Sequence, residues 1–556
     1  MLRSRSILSL LLLALPSLLR AGPELDSLRA IAIQEGGRVK PLDSFARETS
    51  KRVTAARAFG AQSVQGLEPV EWILAMLADP AGWRKQEIIR VTHVGLRQAA
   101  QLPDGKDRFS YEELTQHAGF LKAAEAVHDK LRKDREAKLD PIEREISTLY
   151  DTLGLMQGLF SGDAIRIIPN PSDARETWYS LHDVDAPDVP PPVQRIKTLM
   201  AALVLAYKDG DRAAVGSAAA ALRRKLAELA PDVYPQAADL GREVHYNQLK
   251  PFRLAWFLYL VGFLLLLPRL IPAWPGTLAV LGGFLVQAYG MALRVMISGR
   301  PPVTNMYESV IWVAWGAVLF ALIFEAVYRS RWFSVCASAV AIVCLILADN
   351  VPILDGSIEP LVPVLRDNMW LTIHVLTITL SYAAYFLAMA IGHVNLGLYF
   401  FAPQRRELLA ELSNFLYRTL QVGTLLCAAG TMLGGWWASY SWGRFWGWDA
   451  KETSIFVALL IYLAVLHGRM LGLLRDFGTA VVSVLAFLGV LWAWYGVNFV
   501  LGVGLHSYGF GSGGYAYVGG FVAFELAIVT AAIVKYRAQQ SPKPPPPAAG
   551  SLQTAP

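Results

Sequence analysis

The sequence predicts an all-α, polytopic membrane protein with about nine transmembrane helices and an N-terminal, mostly helical exported domain. Three observations carry this reading. Hydrophobic residues make up 54% of 556 residues, more than a soluble chain of this size needs. They gather in long apolar stretches from residue 252 to about residue 536, whereas residues 23 to about 248 have ordinary polarity. Basic residues flank every second link between those stretches, the alternation that membrane topology produces.

Taken in order, Arg3 and Arg5 precede an apolar run from Ile7 to Leu19 and then Ala21, the layout of a secretory signal. The run is short for a bilayer span, and no clean A-x-A precedes Gly22. Residues 1–22 are therefore read as a signal peptide or an uncleaved anchor that exports the adjoining polar domain.

Residues 23–250 form the exported domain, with its boundary near Lys250. Residues 121–160 and 194–229 carry apolar residues at helical spacing, and the Pro-rich segment 185–193 separates them. The charge run from Lys130 to Glu145 marks a solvated helix face or a helical hairpin. His93, His117, His128 and His182 have no ligand spacing and are read as surface or capping residues.

Residues 251–537 form the transmembrane domain, with spans at 252–271, 275–297, 308–328, 331–349, 371–400, 415–437, 453–473, 477–500 and 514–535. Arg329, Arg331, Arg405, Arg406, Arg469, Arg475, Lys535 and Arg537 fall on one side, which the positive-inside rule makes cytoplasmic. Arg300 and Arg366 are exceptions on the outer side. Residues 538–556 read as a disordered cytoplasmic tail. The expected location is a bacterial inner membrane, with the N-terminal domain periplasmic.

Net charge is +6 from 51 basic and 45 acidic residues, too mild and dispersed for nucleic acid. Cys336, Cys344 and Cys427 lie in apolar stretches without CxxC spacing, which argues against a disulfide or metal site.

One outer link, 436–452, is unusual. Trp436, Trp437, Trp442, Trp446 and Trp448 are five of the 16 tryptophans and lie within 13 residues, interleaved with Gly443 and Gly447. An interfacial aromatic belt accounts for one or two of them. A wall for a planar apolar ligand accounts for the cluster, with glycines allowing close approach. Asp449 and Glu452 have the spacing of a capping box and so also start the next span.

Two histidines share the outer side with this loop. His374 lies near the outer end of the fifth span, and His506 lies in the link after the eighth. Alone, each reads as an interfacial histidine; with the loop, they read as axial ligands of a six-coordinate heme iron. His467 is 14 residues into the seventh span, ~21 Å below the outer surface, which suits a second, inner heme position. His393 reads equally as a helix–helix hydrogen bond or a ligand, and no site is assigned to it.

Trp442-Gly-Arg-Phe-Trp446-Gly-Trp448-Asp449-Ala-Lys451-Glu452 resembles the WWD signature of the heme-handling proteins of cytochrome c maturation. Arg294 and the stretch from Gly299 to Ser309, with Asn305, Tyr307 and Glu308, resemble the CcsA (ResC) branch, the System II heme lyase subunit. Trp370-Leu-Thr-Ile-His374-Val, His506 and His467 match that family's external and intramembrane histidines. The resemblance covers about 275–510. It implies heme b passing from an inner site to the WWD loop, a separate ResB/CcsB-type partner, and apocytochrome c as substrate. Residues 38–48 look like a fixed motif without evident chemistry.

Three functions are expected on this basis. The first is a subunit of a holocytochrome c synthase, adding CxxCH thiols across heme vinyl groups, with no catalytic acid or base assigned. The second is a heme carrier of the System I type without lyase activity. The third is a generic transporter or scaffold, which leaves the loop and the histidines unexplained. The exported domain is expected to bind apocytochrome, the partner or a thiol-reducing protein, and the sequence does not choose among the three.

Overall fold

The structure is a computed structural model that describes residues 23–540 apart from 56–62, 136, 138, 171–176, 186–190, 269, 352–353, 362–366, 503–505 and 507–513. Residues 1–22, expected to be a signal peptide or anchor, and residues 541–556 of the expected tail lie outside the described residues. The first three residues expected in the tail, 538–540, instead complete the helix Tyr515–Gln540, because its backbone hydrogen bonding runs past the apolar segment. The described residues are mostly helical, with two small antiparallel hairpins, Ala32–Glu35 with Arg38–Pro41 and Ile89–Arg90 with Arg108–Phe109.

The chain divides into two compact units. One holds the residues up to Leu258 with Gly282–Ile311 and Leu345–Asn368; the other holds Tyr259–Leu281, Trp312–Cys344 and the residues from Met369 on.

In the first unit, local signals start and stop the helices. The charge run resolves into a hairpin of two helices, Ala118–Lys133 and Pro141–Ser161. The second begins with a capping box of Asp140 and Glu143 and with Pro141 at its first position; Gly162, at φ 88°, closes it. His93 and His117 accept backbone hydrogen bonds at the N-termini of their helices, and His128 packs edge-on against Tyr150. The core is built on fully buried Trp72, Trp178, Phe45 and Phe120.

The 38–48 motif acquires a structural role here. Arg38 pairs with Glu243 and donates to the Ile358 carbonyl oxygen at 2.8 Å. Ser44 donates to Glu243 at 2.6 Å, and Asn247 donates to Asp43 at 3.0 Å. Lys40 bridges Glu35 and Glu48. The motif thus clasps the first hairpin and the helix Leu42–Thr54 to the helix Ala237–Leu249. At Lys250, φ 47° interrupts the helical path before Pro251, where a missing N–H is tolerated. A buried pair, Arg294 with Glu308 at 2.7 Å, ties residues 294 to 308, and Glu308 also accepts from the Thr304 backbone at 2.8 Å.

Among the described residues, eight helices are long and apolar enough to cross a membrane: Ala237–Leu266, Trp274–Ser298, Met306–Tyr328, Trp332–Asn350, Asn368–Phe401, Ala450–Met470, Asp476–Leu501 and Tyr515–Gln540. The remaining expected span, 415–437, lies inside the 37-residue helix Arg406–Trp442. That helix is long enough, but Arg418, Gln421, several threonines and four glycines dilute its apolar character.

The second unit is organised around Asn368–Phe401, which packs against Arg406–Trp442, Asp476–Leu501 and Tyr515–Gln540. Small residues allow the approach, because an added methyl at Gly423 would meet the Tyr385 ring at 2.8 Å and one at Gly430 would meet Ile378. Tyr385 stacks on Tyr462 with centroids 3.5 Å apart. Buried Asn395 donates to Ser413 at 2.9 Å. All three cysteines are buried and unpaired.

Candidate functional site

The Trp-rich segment begins as helix. Arg406–Trp442 continues through Trp436 and Trp437 and stops at Gly443, whose φ of 67° makes it a left-handed cap. Gly443 therefore ends a helix, and the space where a Cβ would sit is open. Gly447 is committed in another way, since an added Cβ there would fall 1.9 Å from the Arg444 guanidinium.

Glu452 organises the turn after Gly443. Its carboxylate accepts from the backbone N–H of Gly447 at 2.8 Å and of Asp449 at 3.2 Å, and it pairs with Arg444 at 3.2 Å. Arg444 in turn lies over the Trp442 ring at 5.6 Å. Asp449 caps the helix Ala450–Met470 and accepts from the Lys451 backbone at 2.8 Å. The capping box read from the sequence is present; its wider role in holding the loop was not legible from spacing alone.

The aromatic side chains divide by exposure. Trp436, near the end of its helix, is 60% exposed, and Trp448, in the loop, is 67% exposed; together they leave a large apolar surface uncovered. Trp448 adopts φ 56°, a left-handed conformation that costs a bulky residue on the order of 1–2 kcal/mol. Such strain persists only where the surroundings impose it, here Glu452 and Asp449. Trp446 stands edge-on to Trp448 at 5.9 Å.

His374 and His506 each have one ring nitrogen fixed. His374 lies in a π-helical turn, Leu371–Val375, and its Nδ1 is 2.8 Å from the Gly430 carbonyl oxygen. A carbonyl can only accept, so Nδ1 carries the proton and Nε2 carries the lone pair. Trp437 meets the His374 ring edge-on at 5.8 Å. Gly434 makes room for that imidazole: an added Cβ would lie 2.6 Å from its Cε1. His506 Nδ1 is 2.9 Å from Asp449 Oδ1, which selects the same tautomer, and the Trp442 ring lies 4.9 Å away. The structure thus places His374 against Trp437, and His506 against Trp442 and Asp449. A carboxylate or carbonyl behind each imidazole is the arrangement that orients metal-ligating histidines.

His467 stands apart, 18 residues beyond Asp449 and ~27 Å along the helix. Its Nδ1 is 2.7 Å from the Leu463 carbonyl oxygen, and its side chain is exposed on the face that carries Val457 and Leu460. His393 is engaged at both nitrogens, with the Met389 carbonyl oxygen at 2.9 Å and with Glu525 at 2.7 Å. Of the two readings open for it, the helix–helix hydrogen bond is the one present. Glu525 was missed, although a lone acid in an apolar span is itself a signal.

Residues 303–506 match the family described as cytochrome C assembly protein, a segment that contains the loop and ends at His506. The protein NrfI of Wolinella succinogenes is 28% identical over 502 residues, 85% of this chain and 53% of NrfI, so this chain spans about half the length of that relative. Cytochrome c biogenesis protein CcsA of Chlorella vulgaris is 34% identical over 259 residues, 40% of this chain and 81% of that protein. CcsA of Synechococcus sp. (strain CC9902) is 32% identical over 299 residues, 47% of this chain and 98% of its own length.

Proposed function

This chain belongs to the CcsA-type cytochrome c biogenesis proteins, and from that footing we propose that it binds heme at its Trp-rich loop and presents it for covalent attachment to apocytochrome c. The observation that carries the reading is the matched pair of imidazoles, each with Nδ1 anchored and its lone pair on Nε2. The Trp437 indole N–H supports it, being buried and without a hydrogen-bond partner among the described residues. A planar ligand with a metal centre and acceptor groups suits that set.

Bound heme b would supply two vinyl groups, each of which accepts a CxxCH thiol: sulfur bonds to one vinyl carbon and the thiol hydrogen passes to the other. In this reading His374 and His506 hold the iron until the substrate histidine displaces one of them. Trp437 and Trp442 position the two ligand rings, while exposed Trp436 and Trp448 with Trp446 offer the porphyrin a wall. The chain contributes orientation in place of a catalytic acid or base. His467, exposed on its helix face, serves an inner position whose opposite ligand comes from a ResB/CcsB-type partner. The setting is the bacterial inner membrane, with the loop periplasmic and the C-terminus cytoplasmic, as the flanking arginines indicate.

Maturation tests this. His374→Ala and His506→Ala, each expressed with the partner, should reduce c-type cytochrome yield to background by heme staining. Full yield in both variants would contradict the proposal.

A further inference from the structure

One charged group of the loop has no hydrogen-bonded partner among the described residues. Between Trp436 and Glu452 the charged residues are Arg444, Asp449, Lys451 and Glu452. Glu452 holds Arg444, and Asp449 holds His506. The Lys451 ammonium has no hydrogen bond or ion pair among the described residues, and the acid it interacts with, Asp449, is already engaged by His506. Its surroundings do not favour a bare cation. It is half-buried, and it sits at the second position of the 21-residue helix Ala450–Met470. There the helix dipole opposes positive charge. A lysine kept half-buried at a helix start beside a membrane span is stabilised when an anion joins it.

Heme carries two carboxylates on one edge of the porphyrin and two vinyl groups away from them. Resting on the heme-binding reading above, we propose that Lys451 binds a heme propionate. The ammonium and the propionate form a charge-assisted hydrogen bond beside the imidazole pair. This contact sets which edge of the ring enters first. With the carboxylate edge held at the start of Ala450–Met470, the vinyl edge faces away from that helix, where incoming thiols can reach it. Lys451 is then a binding and orientation residue that acts on the porphyrin carboxylate, independently of the iron.

Titration of the purified full-length protein, in complex with its partner, separates the two contributions. The probes are heme and heme dimethyl ester, which keeps the iron and vinyl groups but has no carboxylate. Binding is read from the low-spin absorption band. Wild type should bind heme at least about tenfold more tightly than the ester, the scale of one charge-assisted hydrogen bond. Lys451→Gln should lose about tenfold for heme and nothing for the ester, and Lys451→Arg should restore heme binding. An equal loss for both ligands, or no loss for heme, would overturn the role of Lys451 while leaving the imidazole site standing. Failure of wild type to bind either ligand would overturn both. The wild-type preference for heme over ester is measured without any variant, so misfolding of Lys451→Gln does not remove the test; absence of that preference overturns the proposal by itself.

Discussion

Gly434 shows how narrowly the site is cut at the scale of single residues. In a helix interior, Gly→Ala ordinarily stabilises by roughly 0.5–1 kcal/mol. At position 434 the added methyl would reach His374 Cε1 at 2.6 Å and Nε2 at 3.2 Å. The imidazole can move, so the expected result is a protein at least as stable in thermal unfolding but with an altered or weakened low-spin heme band. An unchanged band would show that the space beside Gly434 is not the seat of His374. Ring placement depends as much on its partners as on its own identity. Asp449 and the Gly430 carbonyl fix which nitrogen can donate a lone pair. Lys451 is the complementary case, a charge whose ammonium no described side chain pairs.

Among elements, the loop from Gly443 to Asp449 depends on one carboxylate. Glu452→Ala would strand two backbone N–H groups and release Arg444. Loss of a cap and its network typically costs about 1–2 kcal/mol. Faster hydrogen exchange across residues 443–452, with protection kept in Asn368–Phe401, is the expected outcome; protection unchanged in the loop would mean that Glu452 does not hold it. This element also shows what sequence can reveal. A capping box is a contact over three residues, and an apolar run of bilayer length is a local count, so both were readable. The Trp density was readable for the same reason. Pairings over long distance were not. Arg38 meets Glu243 at a separation of 205 residues, and His393 meets Glu525 at 132. No spacing rule reaches that far, so the 38–48 motif had no evident chemistry and Glu525 passed unnoticed. Gly443 and Gly447 were visible as breaks in an aromatic run, yet their tasks depend on a helix end and on Arg444.

At the scale of the whole molecule, the N-terminal region and the apolar helices obey different physics. The first is tied by ion pairs that titrate. Glu113 is held below its ordinary range by the hydrogen bond from Lys106 and then by the Ser110 backbone; Glu143 is held low by Lys130 and then by the Asp140 backbone. A carboxylate with a depressed folded value adds stability that is complete above its unfolded value, about 4.3, and is lost as pH falls through the folded value. Both groups are partly exposed, so the contribution is modest. Hydrogen exchange over 110–161 in the full chain should show protection falling as pH drops from about 5 towards about 3, after correction for intrinsic rates. Protection that rises over this interval would contradict the sign. The apolar helices instead depend on close approach at small residues, including Gly423 and Gly430, and the second of these also supplies the carbonyl behind His374. Helix packing and the seating of the His374 ring therefore meet at one residue.

The central claim is that His374 and His506 together hold heme iron. The most direct measurement is a reduced-minus-oxidised absorption spectrum of the full-length protein purified with a ResB-like partner, beside the His374→Ala/His506→Ala double variant. A low-spin b-type spectrum in the wild type that is lost or strongly weakened in the variant is the predicted result. The same spectrum at the same intensity in both samples, or no heme in either, would contradict the account.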